Sequence, residues 1–361
     1  MIRLTDVIQG RNNNFHLLRM VAASAVLFSH AFPLSTGARQ DEPLRAALGC
    51  TFGSIAVDLF FLISGMLVTL SLVRRGSAVE FAKARFFRIW PGLIAAILFV
   101  MLLIGPAVTT LSPSDYFTSR HTMKYLLFNM FLLRGASDLP GVFSTNPWPD
   151  AVNGSLWTLP AEVRCYLALL AVWFAVRQLN WTGARLRQVA TAVWVVLFAW
   201  FAWTLRSSTV EESPLHLWLM FSSGTLLYLY REHIVMSPLH LAGALALLVL
   251  SAGHAMAFGL VYALALPYVM LCAAYLPRGA ILQYNRLGDY SYGVYIYAYP
   301  VQQTLMHLQP GLGPIGLFAA SMAVTLALAV LSWHLIEKPA MRLARPRRER
   351  APVVAATTTP A

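Results

Sequence analysis

The sequence predicts an all-α integral membrane protein, a polytopic bundle of about ten transmembrane helices with both termini in the cytoplasm. Of its 361 residues, 58% are hydrophobic and only 12% are charged, and the mean hydropathy is +0.61. Soluble domains carry about 25% charged residues, so this chain has roughly half the usual charge. The apolar residues also form long blocks without strict alternation, which favours membrane helices over a large soluble core.

Ten apolar blocks each have nearly the length, about 20 residues, that a helix needs to cross the hydrocarbon layer. Taken in order, they cover residues 16–34, 54–73, 89–108, 158–176, 189–205, 214–230, 238–256, 258–276, 290–309 and 313–336. The boundary between the seventh and eighth blocks is the weakest, because almost nothing separates them. The chain is thereby divided into a cytoplasmic segment (residues 1–15), a transmembrane domain (residues 16–341) and a basic, disordered cytoplasmic tail (residues 342–361).

The distribution of Lys and Arg predicts the orientation, because cytoplasmic loops carry an excess of these residues. With both termini inside, 19 of the 27 Lys and Arg residues lie in the cytoplasm, six lie outside, and Arg19 and Arg164 lie within spans. Membrane topology therefore explains the net charge of +12, and nucleic acid is not expected as a partner. The three cysteines lie far apart and show no metal-type or CxxC spacing.

Ionisable residues inside the predicted spans are the main functional signal. A charged side chain deep in a span costs roughly 2.5 kcal/mol or more on insertion scales, so such residues usually face a cavity or one another. Arg19 and His30 lie eleven residues apart in the first span. This spacing is close to three helical turns, so both lie on one helix face, roughly 16 Å apart along the axis. Arg19 is predicted near the inner surface and His30 near the outer one.

Two other spans place charges at the predicted depth of His30. Asp58 lies in the first turns of the second span, and Glu162 and Arg164 lie near the outer end of the fourth. A histidine beside carboxylates is a candidate general base, because a carboxylate stabilises the imidazolium that forms. The alternatives are packing roles for His30 and Glu162 and a structural ion pair between Asp58 and Arg164. A metal site needs three or four converging ligands, and none is expected here.

Six segments, taken in order, resemble the motifs of the acyltransferase 3 family of membrane O-acyltransferases. They are Arg19-x10-His30, VDLFFLISG at residues 57–65, RFFRIWP at 85–91, SLWTLPAE at 155–162, LGDYSYGVY at 287–295 and IEKP at 336–339. The resemblance runs from about residue 13 to residue 341. One departure is Ala298, which stands where many members have a histidine, so catalysis is expected to rest on His30.

The resemblance implies that a cytoplasmic acyl-CoA, most commonly acetyl-CoA, donates its acyl group to a sugar hydroxyl of a lipid-linked or surface polysaccharide. The implied location is the bacterial cytoplasmic (inner) membrane, with membrane lipid around the spans. The expected catalytic residues are His30, Glu162 and Asp58; the expected acyl-CoA-binding residues are Arg19, Arg85 and Arg88; and the expected substrate-binding residues are Trp157, Arg164 and Tyr295. Arg85 and Arg88 lie one helical turn apart, a spacing at which two guanidiniums meet phosphates.

Several alternatives stay open at the level of sequence. Arg85 and Arg88 are also explained as topology-determining charges. Direct transfer is preferred over a covalent intermediate on His30, Ser64 or Ser155, because no serine has a helical spacing that clearly pairs it with His30. A transporter that uses the intramembrane charges as a proton or substrate path is the rival class, and a receptor or assembly protein with structural charges is a second one. The sequence does not determine the oligomeric state.

Overall fold

The computed structural model describes residues 2–10, 12–133, 138–180, 182–211 and 215–344, and within these ranges the chain is mostly helical. The predicted all-α class is confirmed. The helices are α1 (Leu4–Val7), α2 (Phe15–Thr36), α3 (Arg45–Leu48), α4 (Phe52–Arg75), α5 (Ala78–Phe99), α6 (Gly105–Val108), α7 (Pro113–Thr118), α8 (Arg120–Met130), α9 (Thr158–Gln178), α10 (Gly183–Thr204), α11 (His216–Leu229), α12 (Pro238–Ser251), α13 (Ala255–Tyr275), α14 (Ser291–Leu308), α15 (Pro314–Ser332) and α16 (Lys338–Leu343). From residue 345 onward, the predicted disordered tail lies outside the described residues.

Each of the ten predicted apolar blocks coincides with a helix. Seven helical segments of the described chain are long and apolar enough to cross a membrane: Phe15–Thr36, Phe52–Arg75, Ala78–Val108, Gly154–Gln178, Gly183–Thr204, Ala255–Tyr275 and Pro314–Leu343. Helices α11, α12 and α14 are not among them. The chain is thus an integral membrane protein, whereas the number of ten spans and the orientation of the termini stay predictions.

Two of the long segments contain a π-helical turn. One turn, Val100–Ile104, joins α5 to α6, and the other, Trp333–Glu337, joins α15 to α16. A proline follows closely in both cases, Pro106 in α6 and Pro339 in α16. Because proline has no N–H to donate, it interrupts the regular hydrogen-bond ladder, and a wider turn accommodates the change.

Close contacts between small residues fix the packing of the central helices. Helix α4 crosses α11 at Gly65 and Gly224, where an added Cβ would lie 2.0 Å from the Phe221 carbonyl oxygen and 2.2 Å from the Leu62 carbonyl oxygen, respectively. Only glycine allows two helix backbones to approach so closely, as is common between membrane helices. This crossing fixes the rotation of α4, which carries Val57, Asp58 and Ser64.

The outer helices turn large apolar side chains away from the bundle. On α12, Val249 and Leu250 are 75% and 79% exposed, and on α10, Val196 is 67% exposed. In water such surfaces would be unfavourable, whereas hydrocarbon matches them. They are the expected lipid-facing surfaces of the protein.

A short antiparallel pairing of β1 (Ile2–Arg3) with β2 (Val235–Met236) brings the N-terminal segment beside the connection that follows α11. Both segments were assigned to the cytoplasm from the sequence, and the pairing requires that they lie on the same side of the membrane.

The connection before α9 is tied to α14 by buried amides. The Asn146 side chain donates to the Gln303 carbonyl oxygen at 2.9 Å, and Gln303 Nε2 donates to the carbonyl oxygens of Trp148 and Ala151 at 2.8 and 2.7 Å. Asn153 Nδ2 donates to the Ile296 carbonyl oxygen at 2.9 Å. These bonds fix the chain that leads into the start of α9.

Candidate active site

An inner cavity of about 350 Å³ lies among α2, α4, α5, α9 and α14. Its polar lining includes His16, Arg19, Ser64, Arg85, Arg88, Thr158, Glu162, Tyr166, Asp289 and Ser291. The three arginines that the sequence assigned to the acyl donor therefore line one chamber. This chamber is referred to below as the inner cavity.

Asp289, just before α14, joins two of these arginines. Its Oδ2 lies 3.0 Å from Arg19 Nη2 and 2.7 Å from Arg88 Nη2, and Ser291 Oγ donates to its Oδ1 at 2.6 Å. Burial acts to raise the pKa of Asp289, but the two guanidiniums outweigh it and hold this pKa well below its usual range. Arg88 also lies 3.8 Å from the buried Glu337 carboxylate. Arg19 and Arg88 are thus partly neutralised by carboxylates.

Arg85 differs from the other two arginines. Its guanidinium lies over the Tyr166 ring, 5.9 Å from the centroid. Within the described ranges, no carboxylate oxygen lies within 4.0 Å of it, and its buried Nε makes no hydrogen bond. An unneutralised cation on a cavity wall is a ready site for an anionic group such as a phosphate.

Glu162 also faces the inner cavity. Ser64 Oγ donates to Glu162 Oε1 at 2.9 Å and lies 2.8 Å from the Tyr166 hydroxyl oxygen. The Tyr166 hydroxyl in turn donates to the same carboxylate oxygen of Glu162. A hydroxyl, a carboxylate and a phenol from α4 and α9 thus form one connected cluster.

An outer cavity of about 440 Å³ lies at the other end of α2 and α4. His30 lines it, with its ring edge-on to Tyr299 at 5.2 Å between centroids, and its buried Nδ1 makes no hydrogen bond to any residue that the structure describes. The Arg39 guanidinium lies 5.3 Å from the centroid of the Trp148 ring. Aromatic rings and polar groups around a cavity of this size suit a saccharide or another polar organic molecule.

A small polar network forms one side of the outer cavity. Ser29 Oγ donates to Glu42 at 2.6 Å, and Arg45 Nη2 lies 3.1 Å from both Glu42 and Glu211. Burial raises the pKa of Glu42, although Ser29 and Arg45 oppose that shift. The carboxylates of Glu42 and Glu211 share the Arg45 cation, so their charge is partly neutralised. The network therefore offers hydrogen-bond acceptors to a molecule in the cavity and little unpaired negative charge.

The inner and outer cavities meet at Val57 and Tyr295, which line both. The Tyr295 hydroxyl donates to the Ser155 carbonyl oxygen at 2.8 Å and hydrogen-bonds to Thr158 Oγ1 at 2.7 Å. Tyr295 therefore lies at the boundary between the arginine-rich inner cavity and the outer cavity that contains His30.

Glu162 and Asp58 do not lie beside His30 in the outer cavity, contrary to the expectation from the sequence. Glu162 faces the inner cavity, and Asp58 is 1% exposed and bonded to Tyr262 Oη at 2.7 Å. His216 Nε2 lies 3.4 Å from Asp58 Oδ1. Depth along a helix can be counted in a sequence, but the direction in which a side chain points depends on packing between helices.

The structural ion pair between Asp58 and Arg164 is also absent. Arg164 is exposed on α9, and its Nη2 donates to the Leu133 carbonyl oxygen at 3.4 Å. It lines neither cavity, so its predicted contact with substrate has no support from this geometry. Trp157, in contrast, lines the outer cavity and is 54% exposed.

Several cavity residues were not selected from the sequence. The clearest are Tyr166, Asp289, His216 and Arg39. Asp289 lies within the LGDYSYGVY segment, so the motif itself was a usable signal, whereas Tyr166 lies one helical turn after Glu162 and could have been considered for that reason. Within the described residues, no group of three or more His, Cys, Asp or Glu side chains is arranged to hold a metal ion.

Comparison with known proteins is consistent with this geometry. A family model described as an acyltransferase domain, acyltransferase 3, matches residues 12–334. An O-acetyl transferase of Shigella phage Sf6 is 31% identical and aligns with 93% of this chain and 98% of its own length. Nodulation protein 10 of Rhizobium leguminosarum bv. viciae is 33% identical over 92% of this chain and 94% of its own length.

A third relative is exopolysaccharide production protein ExoZ of Rhizobium meliloti (strain 1021), 27% identical over 83% of this chain and 93% of its own length. No solved protein structure matches the chain. The family match and the near-complete alignments agree with one another. The chain belongs to the acyltransferase 3 family and is an acyltransferase enzyme.

Proposed function

We propose that the protein is a membrane O-acetyltransferase that moves an acetyl group from acetyl-CoA to a hydroxyl of a saccharide, either lipid-linked or part of a surface polysaccharide. The observation that carries this proposal is the pair of chambers that meet at Val57 and Tyr295. One chamber is basic and suits a phosphorylated donor, and the other contains a histidine among aromatic rings and suits a sugar.

The donor half rests on Arg85, Arg88 and Arg19. Arg85 is the cation most available for a phosphate, since carboxylates partly neutralise the other two. The acyl-pantetheine arm of the donor would extend past these arginines toward Tyr295. The names of the relatives support an acetyl group and a polysaccharide, because they include an O-acetyl transferase and an exopolysaccharide production protein.

The acceptor half rests on His30. Its imidazole would take the proton of the acceptor hydroxyl as the new ester forms, because general-base assistance makes the hydroxyl oxygen nucleophilic. Trp157 and Tyr299 offer ring faces to a sugar, and Trp148 with Arg39 offers a second platform. In this assignment Asp58 holds His216 and Tyr262 and does not touch substrate.

The test is His30→Ala in purified protein supplied with acetyl-CoA and with polysaccharide from cells that lack the protein. We expect transfer to fall by about a hundredfold or more, since general-base catalysis typically contributes that much. His254→Ala is the matched control, because His254 is exposed at the start of α13 and lines neither cavity. Full activity of folded His30→Ala would contradict the mechanism.

Mass spectrometry of cell-surface glycans tests the acceptor. Cells without the protein should lose an acetyl mass from one saccharide, and the loss should be restored by the wild-type chain and not by His30→Ala. Glycans that are unchanged in cells without the protein, together with protein-dependent movement of a solute across the membrane, would favour the transporter alternative.

A further inference from the structure

The inner cavity contains a hydroxyl that is already bonded to a carboxylate. Ser64 Oγ donates to Glu162 Oε1 at 2.9 Å, which is within the distance expected between a nucleophile and its general base. The Tyr166 hydroxyl donates to Glu162 and lies 2.8 Å from Ser64 Oγ, so it holds the carboxylate beside α4. A nucleophile, a base and a group that orients the base are the three parts of an acyl-transfer nucleophile.

Glu162 is suited to remove a proton because no cation neutralises it. Among the described residues, no Lys, Arg or His nitrogen lies within 4.0 Å of its carboxylate oxygens, whereas Asp289 in the same cavity is held by two guanidiniums. Ser291 bonds to Asp289 and therefore faces a much weaker base. Ser64 is thus the better placed of the two serines in this cavity.

The position of Ser64 along α4 fits a transfer point. Ser64 lies seven residues beyond Val57, so the two side chains share a helix face about 10 Å apart along the axis. Val57 marks the junction with the outer cavity. Arg85 and Arg19 line the same chamber and can stabilise negative charge that develops on a thioester oxygen.

We propose that Ser64 is a nucleophile that carries the acetyl group between donor and acceptor, an inference that rests on the acetyl-CoA-dependent function proposed above. Glu162 takes the hydroxyl proton as Ser64 Oγ attacks the thioester carbon. The C–S bond then breaks, and the thiolate receives that proton and leaves as free CoA.

The second half returns the enzyme to its starting state. The acceptor hydroxyl attacks the carbonyl carbon of acetyl-Ser64 from the outer cavity while His30 takes its proton. The bond between this carbon and Ser64 Oγ breaks, and the proton that His30 took is returned to Ser64 Oγ, so both bases are regenerated and the net reaction neither consumes nor releases protons. Two bases in two chambers explain why Glu162 and His30 do not lie together.

The test uses the purified full chain in lipid nanodiscs with acetyl-CoA radiolabelled in the acetyl group and no acceptor. We expect a burst of free CoA and at most one acetyl group per protein, located by peptide mass spectrometry on Ser64. Addition of polysaccharide from cells that lack the protein should remove the label. Ser64→Ala should take up no label and lose transfer, and Glu162→Gln should label about a hundredfold more slowly.

Two variants sharpen the test. His30→Ala should still take up label but should not pass it to the polysaccharide, so acetyl-Ser64 accumulates. Ser64→Cys should carry the label as a thioester that neutral hydroxylamine releases, which separates lost chemistry from lost folding. Ser71→Ala is the matched control, because Ser71 lies two turns further along α4, bonds to Arg75 and lines neither cavity.

Failure of this inference differs from failure of the proposed function. Transfer to polysaccharide by wild-type protein that never becomes labelled would establish direct transfer and overturn a role for Ser64 as nucleophile. Label on His30 or on any other residue would overturn it as well. Neither label nor transfer in the wild type would overturn the proposed acetyl-CoA-dependent function together with this inference.

Discussion

The three arginines of the inner cavity fall into two groups, two that are paired with a carboxylate among the described residues and one that is not, and the sequence alone does not distinguish them. Arg19 and Arg88 share the carboxylate of Asp289, with Oδ2 at 3.0 and 2.7 Å. Arg85 has a buried Nε without a hydrogen bond in the described chain and stands over Tyr166. The first pair stabilises the cavity wall, and Arg85 remains available for an anion that enters the cavity.

Substitution of Arg85 should therefore weaken donor binding more than folding. A hydrogen bond from a cation to a charged group is worth about 1.5–3 kcal/mol, so Arg85→Ala should raise the KM for acetyl-CoA roughly tenfold or more with little change in Tm. Arg177→Ala is the control, since Arg177 stacks on Trp173 outside the inner cavity. Initial rates against acetyl-CoA concentration measure the effect, and an unchanged KM would refute the assignment.

Asp289 should affect stability in a pH-dependent manner. Its removal leaves two partly buried guanidiniums without the carboxylate that they share, and breaking a buried ion pair costs up to about 3–5 kcal/mol, so Asp289→Asn should unfold at a lower temperature at neutral pH. Because the folded-state pKa lies below the ordinary value of 3.8, this stabilisation is present above that value and is lost as the pH falls below it.

Thermal unfolding in detergent, followed by tryptophan fluorescence at several pH values, measures the difference. The gap between wild type and Asp289→Asn should narrow as the medium becomes more acidic than about 3.8. Asp41→Asn, at an exposed position before α3, should match the wild type throughout. A gap that is constant with pH would show that the ion pairs do not cause the stabilisation.

Among the helices, the crossing of α4 and α11 determines where the reactive side chains point. Gly65 directly follows Ser64, and its Cα side faces the Phe221 carbonyl group of α11. Ser64, at the adjacent position of α4, faces the inner cavity. A rotation of α4 about its axis would break the hydrogen bond between Ser64 and Glu162. It would also turn Val57 away from the junction between the cavities.

Gly65→Ala should test this crossing. The added methyl group would lie 2.0 Å from a backbone oxygen, so the helices must separate, and such overpacking typically costs about 1–3 kcal/mol. Gly243→Ala on α12 is the control, because no atom lies within 4 Å of the new Cβ and the change should be neutral or slightly stabilising. The thermal unfolding temperature and the rate of acetyl transfer should both decrease in Gly65→Ala and should not decrease in Gly243→Ala. The same unfolding temperature and transfer rate in both variants would contradict the role of the crossing.

Considered as a whole, the molecule is a helical bundle with the arginine-rich inner cavity at one end and the outer cavity, which contains His30, at the other. The predicted orientation places the basic chamber toward the cytoplasm, where acyl-CoA is found, and the other chamber toward the outside. In the proposed reaction, donor and acceptor would then stay on their own sides of the membrane, and only the acetyl group would pass Tyr295.

Cysteine labelling of cells should establish this orientation. The native cysteines Cys50, Cys165 and Cys272 are buried, so their background reaction with a membrane-impermeant maleimide should be low. Ser114→Cys should react in intact spheroplasts, and Asp6→Cys and Ala82→Cys should react only after permeabilisation. All three positions are exposed. The reverse pattern would overturn the orientation.

The sequence was sufficient for the helical class, the family and the approximate limits of the hydrophobic helices. These properties follow from composition, block length and local motifs, all of which are one-dimensional. It also placed Arg19, Arg85 and Arg88 together, because the positions of these residues near the inner ends of their spans are enough to bring them to one mouth.

Only the tertiary structure shows that Glu162 and His30 line different cavities and that Ser64 donates a hydrogen bond to Glu162. It also shows that Asp58 bonds to Tyr262 and that Arg164 lies outside both cavities. Depth is counted from residue number at a fixed rise per residue. The direction of a side chain depends on the rotation of its helix, and close contacts such as that between Gly65 and Phe221 set that rotation. The sequence by itself therefore determined a membrane acyltransferase with charges at two depths, and packing between helices decided which of those charges meet.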